Sequence, residues 1–334
     1  MKVILSGGGT GGHIYPALTI ADQIKKLRPD AQIIFVGTQQ GLEKNIIPRY
    51  GYPLRYIEIA GFKRSLSFDT LRSFGKLFTG LIGANSLISE IKPDLVIGTG
   101  GYVCGPVVFL GYREAEKYFT GKSRKIYTGN PIRSEILSNK RSEAVKFFGL
   151  DPEKQTILVS GGSRGAQSIN KAMLYVEQAL SGRHDVQVLH ATGEANYEEY
   201  IKELNKKGSV EDNIVVKPYL HDMPMALAAA DLAVFRAGAI GLAELTAKGV
   251  PSVLIPYPYA TANHQEFNAR AVEAAGAAKV ILDKELTGEK LLEEIEHLLI
   301  RSEDLQKMKK AAKSLGRPGA AKEIAQQALQ LVKN

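Results

Sequence analysis

The sequence predicts an α/β protein made of two doubly wound domains, and three observations carry that prediction. Short apolar runs of strand length alternate with longer segments whose apolar residues recur at helical spacing. A strand, a glycine-rich turn and a helix start follow one another twice, from Val3 to His13 and from Thr156 to Ser168. At 334 residues the chain is long enough for two cores of ordinary size.

Composition narrows the class. Hydrophobic content of 44% and charged content of 23% describe a globular protein. The single cysteine, Cys104, excludes an internal disulfide and suits a reducing compartment. The opening apolar run passes straight into a glycine turn, without space for a signal-peptide core, and no apolar run reaches membrane-spanning length. A cytoplasmic protein is expected. The charge is uneven: residues 1–133 hold 18 Lys and Arg against 9 Asp and Glu, and residues 134–334 hold 25 against 26. A basic first half suits an anionic surface, membrane headgroups or nucleic acid, although scattered surface lysines with no partner would explain the charge alone.

The first strand, Val3 to Leu5, leads into Gly7-Gly8-Gly9-Thr10-Gly11-Gly12-His13 and then a helical stripe of Ile14, Leu18, Ala21, Ile24 and Leu27. Backbone N–H groups in such a turn approach an anion closely and the helix dipole favours negative charge, so a phosphate or diphosphate is the expected guest. A plain tight connection is the alternative. Gln32 to Val36 is the second strand, and no acidic residue stands near its end to hold ribose hydroxyls, which counts against a nicotinamide-dependent dehydrogenase.

Leu54 to Ile57 is the third strand. Beyond it Leu71, Phe74, Leu77, Phe78, Leu81, Ile82, Leu87, Ile88 and Ile91 form an amphipathic stripe, with Lys63, Arg64, Arg72 and Lys76 near its start. A core face is the ordinary reading; a patch that lies on a bilayer is the other. Leu95 to Ile97 leads into the turn Gly98-Thr99-Gly100-Gly101-Tyr102. Gly105 to Leu110 then begins a helix that Gly111-Tyr112-Arg113-Glu114 ends at once. A parallel crossover needs a dozen residues or more, so a helix and a strand or two are missing from this stretch. The turn chemistry of Thr128-Gly129-Asn130-Pro131-Ile132-Arg133 and the change in charge place a domain boundary there. The expected domains are 1–133 and 134–317, with a last helix, 318–334, crossing back to the first after the break at Gly316-Arg317-Pro318-Gly319.

The second half repeats the opening with a strand at Thr156 to Ser160, the turn Gly161-Gly162-Ser163-Arg164-Gly165-Ala166-Gln167, and a helix from Ser168 to Ala179. Further strands are expected at Val186 to Leu189, Ile214 to Val216, Leu232 to Phe235, Ser252 to Ile255 and Lys279 to Leu282. Two Rossmann-like domains facing across a cleft would put the active site in that cleft. Glu244, one turn inside a helix that follows Arg236-Ala237-Gly238-Ala239, is placed to meet ribose hydroxyls; an ordinary surface glutamate near a helix start is the plainer reading. The polar run Asn263-His264-Gln265 with Asn268 suits sugar hydroxyls, or helix capping by Asn263.

Six motifs occur in the order found in one family: Gly8-Gly9-Thr10-Gly11-Gly12-His13 with Pro16; Gly100-Gly101-Tyr102 with Gly105-Pro106; Thr128-Gly129-Asn130-Pro131 with Arg133; Gly161-Gly162-Ser163 with Gly165-Ala166; Arg236-Ala237-Gly238-Ala239 with Glu244; and His264-Gln265 with Asn268-Ala269. The chain resembles the MurG family, bacterial transferases that move N-acetylglucosamine from UDP-GlcNAc to undecaprenyl-diphospho-N-acetylmuramyl-pentapeptide (lipid I), making lipid II. The resemblance implies an α/β GT-B fold of two Rossmann-like domains. The donor would sit mainly on the C-terminal domain, with the lipid acceptor and an anionic membrane surface on the N-terminal one and no role for nucleic acid.

Carried over by position, Arg133 and Ser163 would contact the diphosphate and the Leu220 backbone the uracil. Ala239, Ile240, Gly241, Leu242, Ala243 and Glu244 would cover the nucleotide, with Glu244 on the ribose and Gln265 on the sugar. Thr10, Gly11 and Gly12 would line the cleft from the other side. The family's His-Glu-Gln-Asn stretch falls in the gap at Leu110 to Tyr112, Phe235 replaces a small residue, and Gly241 replaces a common Thr or Ser. His13, at a helix N-terminus that favours an uncharged ring, is the candidate base for an inverting transfer. With no Asp-x-Asp motif, no tightly bound cofactor is expected, and Mg²⁺ at most as a stimulant. A UDP-GlcNAc epimerase, a glycolipid synthase on the same fold, or an inactive membrane-attached scaffold are the alternatives.

Overall fold

The structure is a computed structural model that describes residues 1–58, 81–101, 103, 104, 106–108, 126–206, 208 and 210–332. The chain divides into two compact units, Met1–Ile132 with Gly319–Asn334, and Arg133–Pro318.

The first unit contains four parallel strands, β1 (Lys2–Gly7), β2 (Gln32–Gly37), β3 (Leu54–Tyr56) and β4 (Leu95–Gly100), in the order β3-β2-β1-β4. Val3 and Leu5 point to one face of the sheet and Ile4 to the other, and all three are fully buried. That continuous burial is what a parallel strand covered on both faces requires. The first face is closed by Ile14, Leu18 and Ile24 of the helix Gly11–Leu27 and by Ala325 of the helix Ala320–Gln330, which packs against it. On the second face Leu87, Ile88 and Ile91 pack from helical residues 81–91. The rest of the predicted stripe, Leu71 to Phe78 with Lys63, Arg64, Arg72 and Lys76, lies outside the described residues, as do Tyr102, Gly105 and the interrupted stretch from Phe109 to Glu114.

Several strand ends shift by one to three residues from the sequence expectation and Arg133 falls in the second unit, and two shifts bear on the site. The first helix begins at Gly11, so Gly11, Gly12 and His13 form its first turn. Strand β4 continues to Gly100, because Gly98 and Gly100 pair with Ser6 and Gly7 across a register shift.

The second unit contains six parallel strands: β5 (Gln155–Ser160), β6 (Val186–Ala191), β7 (Ile214–Lys217), β8 (Leu232–Phe235), β9 (Ser252–Leu254) and β10 (Ala278–Val280), in the order β10-β9-β8-β5-β6-β7. From β5 the chain winds outward through β6 and β7, then returns to lay β8, β9 and β10 on the other side. The direction therefore reverses between β5 and β8, as it does between β1 and β4 in the first unit. Crevices at such reversals, outside the strands' C-terminal ends, are where open parallel sheets bind ligands. Among the described residues no helix is long and apolar enough to cross a membrane.

Candidate active site

In the first unit the loops after β1 and β4 meet at the reversal point. Gly101 has a positive φ of 84°, and a side chain there would collide with the Gly8 carbonyl. This close approach places His13 beside β4. Its ring Nδ1 lies 3.1 Å from the Thr99 carbonyl oxygen. A carbonyl only accepts, so Nδ1 carries the proton in this contact, and in a neutral ring Nε2 is then the acceptor. Thr99 grips the same residue again: its hydroxyl donates to the His13 carbonyl at 2.7 Å. A Cβ on Gly100 would come within 2.6 Å of Nδ1.

The first glycine turn differs from an open phosphate cradle. Glu43 is fully buried beneath it, and Oε2 accepts the Gly9 N–H at 2.9 Å while Oε1 accepts the Thr38 N–H and hydroxyl, both at 2.9 Å. The chain supplies its own anion here. An acidic residue does therefore stand near the end of β2, but it faces back onto the loop. Thr10, at the helix N-cap, makes no side-chain cap hydrogen bond, and Gly12 is exposed.

In the second unit the turns after β5 and β8 are neighbours at the reversal point. Gly165, at φ 73°, lies where a side chain would strike the Thr192 carbonyl, so the turn carrying Ser163 folds tightly over β6. The helices Gln167–Leu180 and Ala239–Lys248 start from these turns, and neither Ala166 nor Gly238 supplies a side-chain cap. Their first turns thus present N–H groups that no helical carbonyl takes, and both dipoles favour an anion in the crevice.

Arg133 and Glu244 close one side of this crevice. Both are almost wholly buried, and Arg133 Nε (3.0 Å) and Nη2 (2.9 Å) donate to the same oxygen, Glu244 Oε1. Burial pushes the Glu244 carboxyl above the usual carboxylate range, with the Arg133 guanidinium opposing it. Leu242 is buried beside Glu244, whereas Ile240, Gly241 and Ala243 are partly exposed and Ala239 is exposed.

Gln265 is tied into the loop after β9, where its Oε1 accepts the Tyr257 N–H at 3.0 Å, and Asn268 donates to the Ala237 carbonyl at 3.3 Å. Leu220 is buried in the loop after β7, two strands away from β5, and the rings of its sequence neighbours Tyr219 and His221 meet edge-on. The structure thus gathers Arg133, Ser163 and Ala239 to Glu244 at one reversal point, with Gln265 and Leu220 on flanking loops of the same sheet edge. Thr10, Gly11, Gly12 and His13 belong to the other unit.

Three residues that sequence reasoning gave no role hold these loops. Besides Glu43 and Thr99, Arg236 donates to Asp283 Oδ1, to the Ser168 hydroxyl at 2.7 Å, and to the carbonyls of Ile255 and Pro256, both at 3.2 Å. One guanidinium therefore fastens the ends of β8, β9 and β10 to the helix after β5. The sequence signal was present in the motif around Arg236, but its partners lie 19 to 68 positions away.

Two α/β units, each with its functional loops at a strand-order reversal, have close structural counterparts. The crystal structure of Acinetobacter baumannii MurG matches with a TM-score of 0.67 at 22% identity, over 98% of this chain and 99% of that one. A UDP-GlcNAc 2-epimerase from Neisseria meningitidis, bound to UDP-GlcNAc, matches with 0.65 at 11%, over 99% and 100%. At such identities the likeness concerns the fold, and the fold class is the two-domain α/β GT-B type.

The glycosyltransferase family 28 N-terminal domain matches residues 3–111, and the family 28 C-terminal domain matches residues 156–324. The UDP-N-acetylglucosamine–N-acetylmuramyl-(pentapeptide) pyrophosphoryl-undecaprenol N-acetylglucosamine transferase of Acetivibrio thermocellus is 45% identical, over 100% of this chain and 99% of its own. The Bacillus subtilis transferase of the same name is 43% identical, over 96% and 97%. The chain belongs to glycosyltransferase family 28 and, within it, to the family of these N-acetylglucosamine transferases. The alignment with the A. thermocellus relative runs over 367 residues, more than the 334 of this chain, so that relative carries positions with no counterpart here.

Proposed function

We propose that the chain is an inverting hexosyltransferase that moves N-acetylglucosamine from UDP-GlcNAc to lipid I, giving lipid II for peptidoglycan synthesis. The observation that carries this reading is the end-to-end match, at 45% identity, to a transferase named for that reaction. The chemistry of the two sites agrees with it.

In the second unit a diphosphate suits the paired helix N-termini, with Ser163 and the Arg133 guanidinium beside it. Arg133 Nε and Nη2 both donate to Glu244 Oε1, and Glu244 Oε2 is the oxygen offered to a ribose hydroxyl. Ala239 to Ala243 cover the nucleotide, the Leu220 backbone meets uracil, and Gln265 holds the sugar. In the first unit Thr10, Gly11 and Gly12 receive the acceptor. As the acceptor oxygen bonds to the anomeric carbon, the bond to UDP breaks, the hydroxyl proton passes to His13 Nε2, and UDP departs as an anion stabilised by preorganised N–H groups. The reaction requires no tightly bound cofactor; Mg²⁺ acts only as a stimulant. The basic first half rests against the anionic cytoplasmic face of the membrane without spanning it.

Incubation with labelled UDP-GlcNAc and a short-chain lipid I analogue tests the reading. A labelled disaccharide lipid with inverted anomeric configuration is expected. Epimerised UDP-sugar, transfer to diacylglycerol, or no product overturns it.

A further inference from the structure

The second sheet has another site-like feature, at its opposite edge. Ser163 and Glu244 follow the C-terminal ends of the strands, whereas a cavity of about 370 Å³ opens where β8 and β9 begin. Asp231, just before β8, and Lys248 to Pro251, just before β9, line it together with Arg141, Lys309 and Lys313. The last two come from the helix Ser302–Leu315, which packs on the helix Ala239–Lys248.

Four cationic side chains here face one carboxylate, and that carboxylate is committed. Asp231 Oδ2 already accepts from Arg141 Nη2 at 3.0 Å and from the Thr156 N–H at 2.9 Å. Arg141 Nη1 is buried and has no hydrogen-bond partner, so the guanidinium's charge is only partly compensated by Asp231. Lys248 donates to a neutral acceptor, the Asn139 carbonyl, at 2.6 Å.

Lys309 and Lys313 stand four positions apart on one helix, a spacing at which like charges repel. The C-terminal dipole of Ala239–Lys248 attracts one cation. Its last carbonyls, though, are already engaged: Leu245 O accepts from Gly249 and Val250, and Thr246 O from Gly249. That dipole cannot account for four cations. Consistent with an uncompensated cluster, burial followed by the nearby charges of Lys313 and Lys309 pushes the Lys248 ammonium below its ordinary value.

We propose that this cavity is an oxyanion site, built for a phosphate or diphosphate group that arrives either free in solution or as the headgroup of an anionic lipid. Its volume falls in the range of small-ligand sites and leaves space for a phosphate with part of its water. The ammonium groups of Lys248, Lys309 and Lys313 supply charge-assisted donors, with the Arg141 guanidinium adding positive charge to the wall. The site lies on the opposite sheet edge from the donor residues, so it stands whether or not the transferase reading holds.

The test is equilibrium binding of inorganic phosphate and of diphosphate to the full chain, with saturating UDP present to fill the other anion site. A parallel arm measures association with phosphatidylglycerol vesicles against phosphatidylcholine vesicles. Each is compared with the surface double variant Lys309→Gln/Lys313→Gln and, from inside the cavity, Lys248→Met. Binding of at least one probe should weaken by about tenfold or more in both variants, with sugar transfer unchanged in the double variant. Loss confined to the soluble anions identifies a free phosphate ligand, and loss confined to the vesicles identifies a headgroup. If no probe binds, or if either variant binds every probe within about threefold of the native chain, the proposal is overturned.

Discussion

Thr99 holds His13 from two directions, accepting the ring Nδ1 on its carbonyl at 3.1 Å and donating its hydroxyl to the His13 carbonyl at 2.7 Å. The first contact fixes the tautomer, and the second fixes the start of the helix that carries the ring. Thr99→Val preserves shape and removes the hydroxyl. It should lower kcat by about fivefold, the worth of one hydrogen bond of about 1 kcal/mol, while UDP affinity stays unchanged. Steady-state kinetics with a parallel UDP titration checks this.

Glu43 is the anion inside the first glycine turn, and its loss should be felt at His13. Glu43→Ala removes one buried carboxylate that accepts from the Gly9 N–H and from the Thr38 N–H and hydroxyl. A stability loss of at least about 2 kcal/mol in urea unfolding is expected, because buried charged acceptors of this kind are expensive to remove. In Glu43→Gln the fold should survive and kcat fall, with the KM for UDP-GlcNAc unmoved. A change in KM alone would place Glu43 in the donor site instead.

Removing Glu244 takes from the buried Arg133 guanidinium the carboxylate that it donates to twice. Glu244→Ala should cost about 3 to 5 kcal/mol of stability and raise the KM for UDP-GlcNAc. Denaturant unfolding and initial-rate kinetics read the two effects separately. A fall in acceptor affinity alone would contradict the ribose assignment.

The same carboxyl gives a pH dependence whose sign follows from its burial. Because Glu244 is raised above the usual carboxylate range, the native state keeps a proton there that the unfolded chain has already lost. Its contribution is fully present below the ordinary carboxylate range and is lost as pH rises through the native value, with a slope of up to about 1.4 kcal/mol per pH unit. Glu244→Gln has no such proton. Stability measured across the acid range should therefore fall less steeply with rising pH in Glu244→Gln than in the native chain.

Much of the fold was legible because it rests on local patterns. Val3 to Leu5 and Thr156 to Ser160 read as buried strands from their apolar runs, and both glycine turns marked the ends of central strands. Boundaries were off where pairing overrode propensity: Gly98 and Gly100 read as a turn, yet β1 draws them into β4. Within the site, Ser163 and Glu244 could be named from motifs at a helix start. The partnerships could not. Glu43 drew no reading from the sequence, since nothing local reveals that a glycine loop 34 positions earlier will bury it. Arg133 reaches Glu244 across 111 positions, so two residues assigned separately to phosphate and ribose turned out to be hydrogen-bonded to each other. Long-range charge pairing of this kind leaves no periodic trace in a sequence.

The proposed reaction divides its labour, with proton transfer on the first unit and nucleotide binding on the second. Its most direct test is His13→Ala, measured by UDP titration calorimetry and by single-turnover transfer to a lipid I analogue. UDP affinity within about twofold of the native chain, with transfer slowed by about 10² to 10⁴, is expected. Native-rate transfer, or UDP binding lost together with turnover, would contradict it.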